Sequence, residues 1–258
     1  MSRRPRAGRP KPRPAASGTG LRASGGDVLY GRNPVHEALR AGRRRVHEVW
    51  ATAAAAREPW LQDVRHRVVD ADALTERAGT DAHQGVCARV DPYPYADAAA
   101  LLVADAPLVV ALDEVQDVQN LGAIVRTAET AGAAGVVIPE RRSAEVTPAA
   151  AKASAGAVEH LPVARVRNLA DWLSEAKEAG FWVYGAAAGE GAVPYTRPDY
   201  AGGVVLVLGA EGKGLRPRVA AACDDLVALP LLGRMESLNV SAAAAALLYG
   251  ILQRRMQG

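Results

Sequence analysis

The chain has 258 residues, of which 49% are apolar, and this is enough to build one large or two smaller domains. Its formal net charge is +3. Its two cysteines, Cys87 and Cys223, form no CxxC pair, and no apolar run reaches the roughly 18 residues of a membrane helix. The histidines show no metal-ligand spacing. We therefore expect a cytoplasmic protein without a disulfide framework, a membrane anchor or a metal site.

The first 26 residues are basic and rich in Pro, Gly and Ser. They hold seven basic residues and no acidic one, so the rest of the chain sums to −4. Such a composition cannot bury a core, and it lacks the hydrophobic segment of a secretory signal, so we expect a disordered tail over 1–26. A phosphate-binding arm and a solubilising extension are both compatible with it.

Residues 27–95 alternate short strands and helices, which indicates a small α/β domain. Asn33 is the expected N-cap and Gly42 the expected C-cap of its first helix. Further elements are predicted at Val46–Ala51 (strand), Glu58–Arg65 (helix), Val68–Val69 (strand), Ala71–Ala78 (helix) and His83–Val90 (strand).

Three consecutive arginines, Arg43, Arg44 and Arg45, follow that first helix. Because a guanidinium group matches phosphate geometry, the run indicates a phosphate-binding site, and a solvated turn is the alternative.

Two prolines stiffen residues 91–95, and residues 96–103 are assigned as the linker to a second domain over 104–258. We expect Tyr93 and Tyr95 to pack across the domain junction rather than stack on bases.

Six strands are predicted in the second domain: Leu108–Leu112, Val136–Ile138, Leu161–Val166, Trp182–Ala186, Val204–Leu208 and Leu226–Leu229. Val204–Leu208 and Leu226–Leu229 are continuous apolar runs rather than alternating ones, which is typical of parallel strands buried on both faces. Helices are predicted between them at Leu121–Ala131, Ala149–Gly156 and Leu169–Ala179, and a final helix spans Ala242–Leu252. The pattern predicts a mostly parallel, doubly wound α/β domain that binds its ligand at the strand ends.

The usual nucleotide-binding fingerprints are absent. No GxGxxG follows a strand, and in the Gly209–Gly214 loop Lys213 is followed by Gly rather than by Ser or Thr. This argues against a nucleotide-dependent oxidoreductase or an NTPase.

Three segments occur in the order of the motifs of one enzyme family: Leu112–Pro139, Gly209–Leu215 and Leu229–Arg255. They resemble the motifs of the SpoU family of S-adenosylmethionine-dependent RNA 2′-O-ribose methyltransferases. YGRNPVHEAL and HQGV in the first domain resemble that family's substrate-binding domain. The resemblance covers roughly residues 28–256. It implies a SPOUT-like C-terminal domain with a trefoil knot, a homodimer, and an RNA contact for the three arginines.

The resemblance also implies roles for individual residues. The implied catalytic residues are Asn120, Arg126, Glu211, Ser237 and Asn239. The backbones of Gly209, Leu229 and Leu238 are implied to hold the cofactor. For Asn120, and for one of Ser237 and Asn239, helix capping is a sufficient local explanation. Because guanidinium stays protonated, we expect Arg126 to bind RNA phosphate and stabilise the developing alkoxide rather than act as a general base.

The expected function is S-adenosylmethionine-dependent 2′-O-methylation of a ribose in RNA, and the resemblance is closest to enzymes that modify a guanosine of 23S rRNA. A tRNA 2′-O-methyltransferase of the same family and a catalytically idle rRNA-binding protein are the alternatives.

Overall fold

The structure is a computed structural model that describes residues 26–103, 107–189, 191–210 and 212–257. Except for Gly26, the segment predicted to be a disordered tail lies outside the described residues.

A four-stranded sheet with three helices forms the first part of the chain. Its elements are β1 (Asp27–Tyr30), α1 (Arg32–Ala41), β2 (Val46–Ala51), α2 (Pro59–Gln62), β3 (Arg67–Val68), α3 (Ala71–Ala78) and β4 (Val86–Val90). The strand order is β1-β4-β2-β3, with β4 antiparallel to both of its neighbours and β3 parallel to β2. The predicted small α/β unit is thus present.

Two details of this unit differ from the prediction. Helix α1 starts at Arg32 with Gly31 as its N-cap, so Asn33 lies inside the helix and is not the cap. Gly31 has φ +98°, a backbone conformation that glycine adopts without strain. Gly42 at φ +61° is the C-cap, as predicted. The helix predicted over Glu58–Arg65 is shorter in the structure, where only Pro59–Gln62 is helical.

The second sheet has seven strands, and all of its pairings are parallel. Its strands are β5 (Leu108–Asp113), β6 (Gly135–Pro139), β7 (Val163–Val166), β8 (Trp182–Ala186), β9 (Val193–Pro194), β10 (Val204–Gly209) and β11 (Asp225–Ala228). Its helices are α4 (Val118–Thr130), α5 (Pro148–Ala153), α6 (Leu169–Glu178), α7 (Pro217–Ala222) and α8 (Val240–Gln257). The strand order is β7-β6-β5-β10-β8-β11-β9. The predicted parallel sheet is confirmed with one strand more, the two-residue β9, and the trefoil knot stays a prediction.

Helices cover both faces of this sheet, which explains the continuous apolar runs. In β5, Val110 and Leu112 pack into a core with α4, α5 and α8, whereas Val109 and Ala111 pack into a second core with α6 and α7. All six residues of β5 are buried. A strand enclosed in this way has no solvent face, so it cannot alternate apolar and polar residues.

The two sheets are joined by a buried ion pair. Arg44, just before β2, directs its guanidinium at the carboxylate of Glu159, which lies in a short 3₁₀ helix between α5 and β7. The two side chains are 3% and 1% exposed. Arg44 also donates to the carbonyl oxygen of Asp91 at 3.3 Å and lies 3.7 Å from the carboxylate of Asp27.

Tyr93 and Tyr95 anchor the connecting segment to the second sheet, as predicted. The Tyr93 hydroxyl lies 3.1 Å from the carbonyl oxygen of Val158 and accepts a hydrogen bond from the amide of Val163 at 3.2 Å. Burial raises the pKa of Tyr93, so this hydroxyl stays a neutral donor. The Tyr95 hydroxyl accepts from the amide of Val146 at 2.9 Å. The connection is therefore held along its length.

We predict that Glu159→Gln destabilises the protein strongly, because it leaves a buried guanidinium without its counter-charge, a change that typically costs about 3–5 kcal/mol. The double variant Arg44→Met with Glu159→Leu is the control, and it should recover most of that loss because it removes both charges. Urea unfolding followed by circular dichroism measures both. A Glu159→Gln protein within about 1 kcal/mol of the wild type would show that the pair does not hold the domains together.

Candidate active site

The carboxyl ends of three neighbouring strands, β10, β8 and β11, open into loops at one end of the second sheet. After β5 the chain adds β6 and β7 on one side and then crosses to build the other side, so β10 comes to lie beside β5. Such a reversal point is where parallel α/β sheets bind their ligands. The fold therefore directs attention to these loops.

A cavity of about 440 Å³ lies among the three loops. It is lined by Ala186–Ala188 after β8, by residues of the 209–214 loop after β10, and by residues of the 229–240 segment that leads from β11 into α8. Leu208, Val227 and Leu247 add apolar side chains to its wall, while Lys213 and Glu236 are charged lining residues. A cavity of this size, mostly apolar with a few polar groups, suits a small-molecule ligand.

The loop after β10 folds back tightly on Gly209. A Cβ atom there would lie 2.3 Å from the carbonyl carbon of Gly214 and 2.6 Å from the amide nitrogen of Leu215. The loop is closed by a hydrogen bond from the amide of Gly214 to the carbonyl oxygen of Ala210 at 3.0 Å. Position 209 thus has no room for a side chain, and this wall of the cavity is formed by backbone.

The three residues proposed from the sequence to hold a cofactor, Gly209, Leu229 and Leu238, all line this cavity, and so does Ser237. The contribution of the loop Ala186–Ala188 to the cavity was not predicted, because small apolar residues after a strand carry no distinctive pattern. Only its position after a predicted buried strand could have drawn attention to it.

Asn239 joins the last loop to helix α4. Its side-chain amide donates to Oδ1 of Asn120 at 3.1 Å. Its own Oδ1 accepts from the backbone amides of Ser241 at 2.9 Å and Ala242 at 3.3 Å, so Asn239 caps α8, as one of the two proposed capping residues. The first and third sequence motifs therefore meet through a pair of asparagines.

Asn120 is not the N-cap of α4, contrary to the local explanation considered above. Asp117 occupies the cap and accepts from the amide of Gln119 at 2.7 Å. The helix begins three residues earlier than predicted because the aspartate ahead of Val118 is itself a good cap. Asn120 is therefore buried within the first turn and directed at Asn239.

Arg126 lies two turns further along α4 and is exposed. Within the part of the chain that the structure describes, its guanidinium forms neither a hydrogen bond nor an ion pair. It does not line the cavity. Glu211 lies outside the described residues. Of the proposed catalytic residues, Asn120 and Asn239 are thus in contact and Ser237 lines the cavity, while Arg126 is exposed on α4 and contacts no polar partner among the described residues.

The three arginines after α1 do not form one surface cluster. Arg44 is buried in the ion pair with Glu159, so its charge is already neutralised inside the protein, which argues against an RNA contact by this side chain. Arg43 is half-buried, with its guanidinium 3.4 Å from the hydroxyl of Tyr93. Of the three, only Arg45 is exposed.

No helix among the described residues is long and apolar enough to cross a membrane. The described residues also contain no cluster of His, Cys, Asp or Glu side chains that could hold a metal ion.

Two family models match the chain. The SpoU rRNA Methylase family matches residues 107–249, and the RNA 2′-O ribose methyltransferase substrate binding family matches residues 28–96. YacO of Bacillus subtilis, assigned to the TrmH family of tRNA/rRNA methyltransferases, is 38% identical over 89% of this chain and 96% of its own length. The uncharacterized tRNA/rRNA methyltransferase slr0955 of Synechocystis is 39% identical over 89% of this chain, which spans 63% of that longer relative.

Solved structures give the same assignment. The SpoU methyltransferase AviRb from Streptomyces viridochromogenes, crystallised with AdoMet, has a TM-score of 0.77 and 26% identity over 91% of this chain and 92% of its own. An AdoMet-bound rRNA methyltransferase from Sinorhizobium meliloti has a TM-score of 0.75 and 25% identity over 89% and 88%. A TrmH/SpoU tRNA modifying enzyme of A. aeolicus has a TM-score of 0.53 and 28% identity over 59% and 77%.

The family model covers more than half of the chain, and the Bacillus relative matches it over nearly its whole length, so this protein belongs to the SpoU family of S-adenosylmethionine-dependent RNA methyltransferases.

Proposed function

We propose that this protein methylates the 2′-hydroxyl of a ribose in RNA, and that its substrate is a guanosine of 23S rRNA. The observation that carries the proposal is the convergence of three sequence motifs. The second and third motifs line the cavity through Gly209, Leu229 and Leu238. The first motif meets the third where Asn120 contacts Asn239. Motifs that lie far apart in the chain thus meet at one end of the sheet.

The cavity fits the cofactor that the family uses. Its backbone-rich walls at Gly209 and Ala186–Ala188 offer amides and carbonyls to a purine ring and an amino acid group, and Leu229 and Val227 give apolar surface to the ring. When bound, S-adenosylmethionine supplies an electrophilic methyl group on a sulfonium that departs as a neutral thioether, so no acid is needed for the leaving group. The residues of the chain need only position the ribose and stabilise the charge that forms on its oxygen.

Arg126 is proposed to bind the RNA phosphate next to the reacting ribose. Its exposed guanidinium is unengaged by the described residues, and it lies on the same helix as Asn120. As a permanent cation, it stabilises the developing alkoxide, while the hydroxyl proton passes to a phosphate oxygen or to water. Ser237 and the Asn120–Asn239 pair position the ribose, and Glu211 is retained in the proposal as a loop-organising carboxylate.

A two-domain match favours rRNA over tRNA as the substrate. The Sinorhizobium rRNA methyltransferase aligns with 89% of this chain, whereas the A. aeolicus tRNA modifying enzyme aligns with 59%. The first domain, which matches a substrate-binding family, is part of the larger share of the chain that an rRNA enzyme of this fold must account for. We propose that this domain selects the RNA, with Arg43 and Arg45 among its contacts.

We also propose that the protein works in the cytoplasm as a homodimer. Apolar side chains of the last loop and of α8 are exposed, with Leu232 97%, Met235 79% and Met256 79% accessible. Exposed apolar side chains grouped in one part of a chain are typical of an interface. A solution mass of twice the 27.0 kDa chain is expected in light scattering, and a monomer would contradict this assembly.

The substrate assignment is tested by mapping 2′-O-methylated riboses in total RNA from cells with and without the gene. We expect one guanosine of 23S rRNA to lose its methyl group when the gene is deleted, and to regain it when the gene is returned. Loss of a tRNA methylation instead would support the alternative substrate, and an unchanged map would support an idle RNA-binding protein.

Gly209→Ala should lower the affinity for S-adenosylmethionine by more than tenfold, because its methyl group would collide with the backbone at Gly214 and push the loop away. Gly233→Ala is the matched control, since a Cβ at that position meets no atom within 4 Å. Titration calorimetry on both variants measures the difference. Equal affinities for Gly209→Ala and the wild type would mean that this loop does not hold the cofactor.

Arg126→Ala should reduce the single-turnover rate of methyl transfer about 100- to 1000-fold while leaving cofactor affinity close to that of the wild type. Arg126→Lys should fail as well, because an ammonium does not reproduce the guanidinium fork. Arg218→Ala removes an exposed arginine whose ion pair lies on α6 and α7, and it serves as the control. A near-normal rate for Arg126→Ala, or a loss explained wholly by weaker cofactor binding, would contradict the proposed role.

A further inference from the structure

The two segments of the first domain that carry the family resemblance meet each other close to a lysine of the second domain. Gly31 precedes α1, and Gln84 precedes β4 in the left-handed conformation at φ +54°. Gln84 accepts a hydrogen bond from the amide of Arg32 through its side chain, at 3.3 Å. Lys152 of α5 lies against Gly31. A Cβ on Gly31 would come 2.5 Å from the Lys152 Nζ and 3.1 Å from the Gln84 side-chain oxygen.

The ammonium of Lys152 has no acidic partner among the described residues. Neighbouring cations at this junction are neutralised: Arg32 by Glu58, Arg40 by Glu37, and Arg44 by Glu159. Burial also lowers the pKa of Lys152, so charging this side chain in the folded protein costs free energy that no carboxylate returns. A partly desolvated cation without a carboxylate partner contributes little to the stability of the fold, and it is well suited to bind an anion.

Helix packing places Lys152 close to the proposed reaction site. The next residue, Ala153, packs against Gly122 of α4 so closely that a Cβ on Gly122 would lie 2.4 Å from that of Ala153. Arg126 follows Gly122 by four residues, about one helical turn or 5.4 Å along α4. Lys152 and Arg126 thus lie on two helices that pack directly against each other.

We propose that Lys152, which lies against Gly31 at the domain junction, is a positioning residue that binds a backbone phosphate of the RNA between the first domain and the reaction site. The inference rests on the proposed function, since it takes RNA as the ligand. It assigns to the second domain an RNA contact outside the cavity that the methylase motifs line.

The test compares Lys152→Gln and Lys152→Arg with the wild type and with Lys177→Gln. The control removes the same charge from α6, where Lys177 pairs with Asp224. Affinity of the full chain for an unmodified 23S rRNA transcript is measured from 0.05 to 0.3 M salt, with added inorganic phosphate at constant ionic strength as a second arm. Cofactor affinity and thermal unfolding are recorded for each variant.

Lys152→Gln should weaken RNA binding about 5- to 8-fold at 0.1 M salt and reduce the salt slope by roughly 0.7 to 0.9, the contribution of one phosphate contact. Lys152→Arg should keep most of the affinity, Lys177→Gln should match the wild type, and added phosphate should compete only weakly. Lys152→Gln should unfold at the same or a higher temperature, because it removes an uncompensated charge.

An unchanged affinity and slope for Lys152→Gln beside a wild type that binds the transcript would overturn this inference alone. A lowered unfolding temperature with normal RNA binding would also overturn it, by showing that Lys152 is structural. Full competition by inorganic phosphate would identify a free-anion site instead of an RNA contact. A wild type that binds neither the 23S transcript nor a tRNA transcript would overturn the proposed function itself.

Discussion

The buried ion pair between Arg44 and Glu159 is the interaction on which the relation of the two domains depends. Each partner lies inside the protein, and each would be costly to leave alone there. The pair is directional, because the guanidinium donates through Nε and Nη2 to the two carboxylate oxygens. Together with the hydrogen bonds of Tyr93, it fixes the orientation of the first sheet relative to the second, which a flexible linker alone would not do.

That arrangement matters because the proposed reaction needs two things at once. The cavity behind Gly209 must hold the cofactor, and an RNA must present one ribose to it with its phosphate near Arg126. If the first domain moved freely relative to the second, each turnover would include the entropy cost of orienting the bound RNA at the cavity. A fixed junction with Lys152 on its surface removes part of that cost, since the RNA contacts on the two domains keep a constant spacing.

Much of this could be predicted from the residues. The continuous apolar runs predicted the parallel sheet correctly, because a strand that is covered on both faces, such as β5 or β10, is apolar along its length. Gly209, Leu229 and Leu238, which line one cavity, were placed together by the family resemblance. The partners of individual charges could not be predicted. Nothing local distinguishes Arg44 from Arg45, since the burial of Arg44 depends on Glu159, a residue 115 positions away in the sequence. The early start of α4 was missed for a different reason: Asp117 and Asn120 are both acceptable caps, and packing against Asn239 decides between them.

We propose that the two domains form one rigid unit whose geometry sets the RNA path. Electron paramagnetic resonance distances between spin labels at Arg57→Cys in the first domain and Arg218→Cys in the second, both exposed positions, test this rigidity. Cys223 is replaced by Ala, Cys87 is fully buried, and labelled protein is diluted with unlabelled protein so that distances within one chain dominate. A rigid unit gives a single narrow distance that stays the same when cofactor or RNA is added. A broad distribution, or a distance that shifts on RNA binding, would show that the domains move relative to each other.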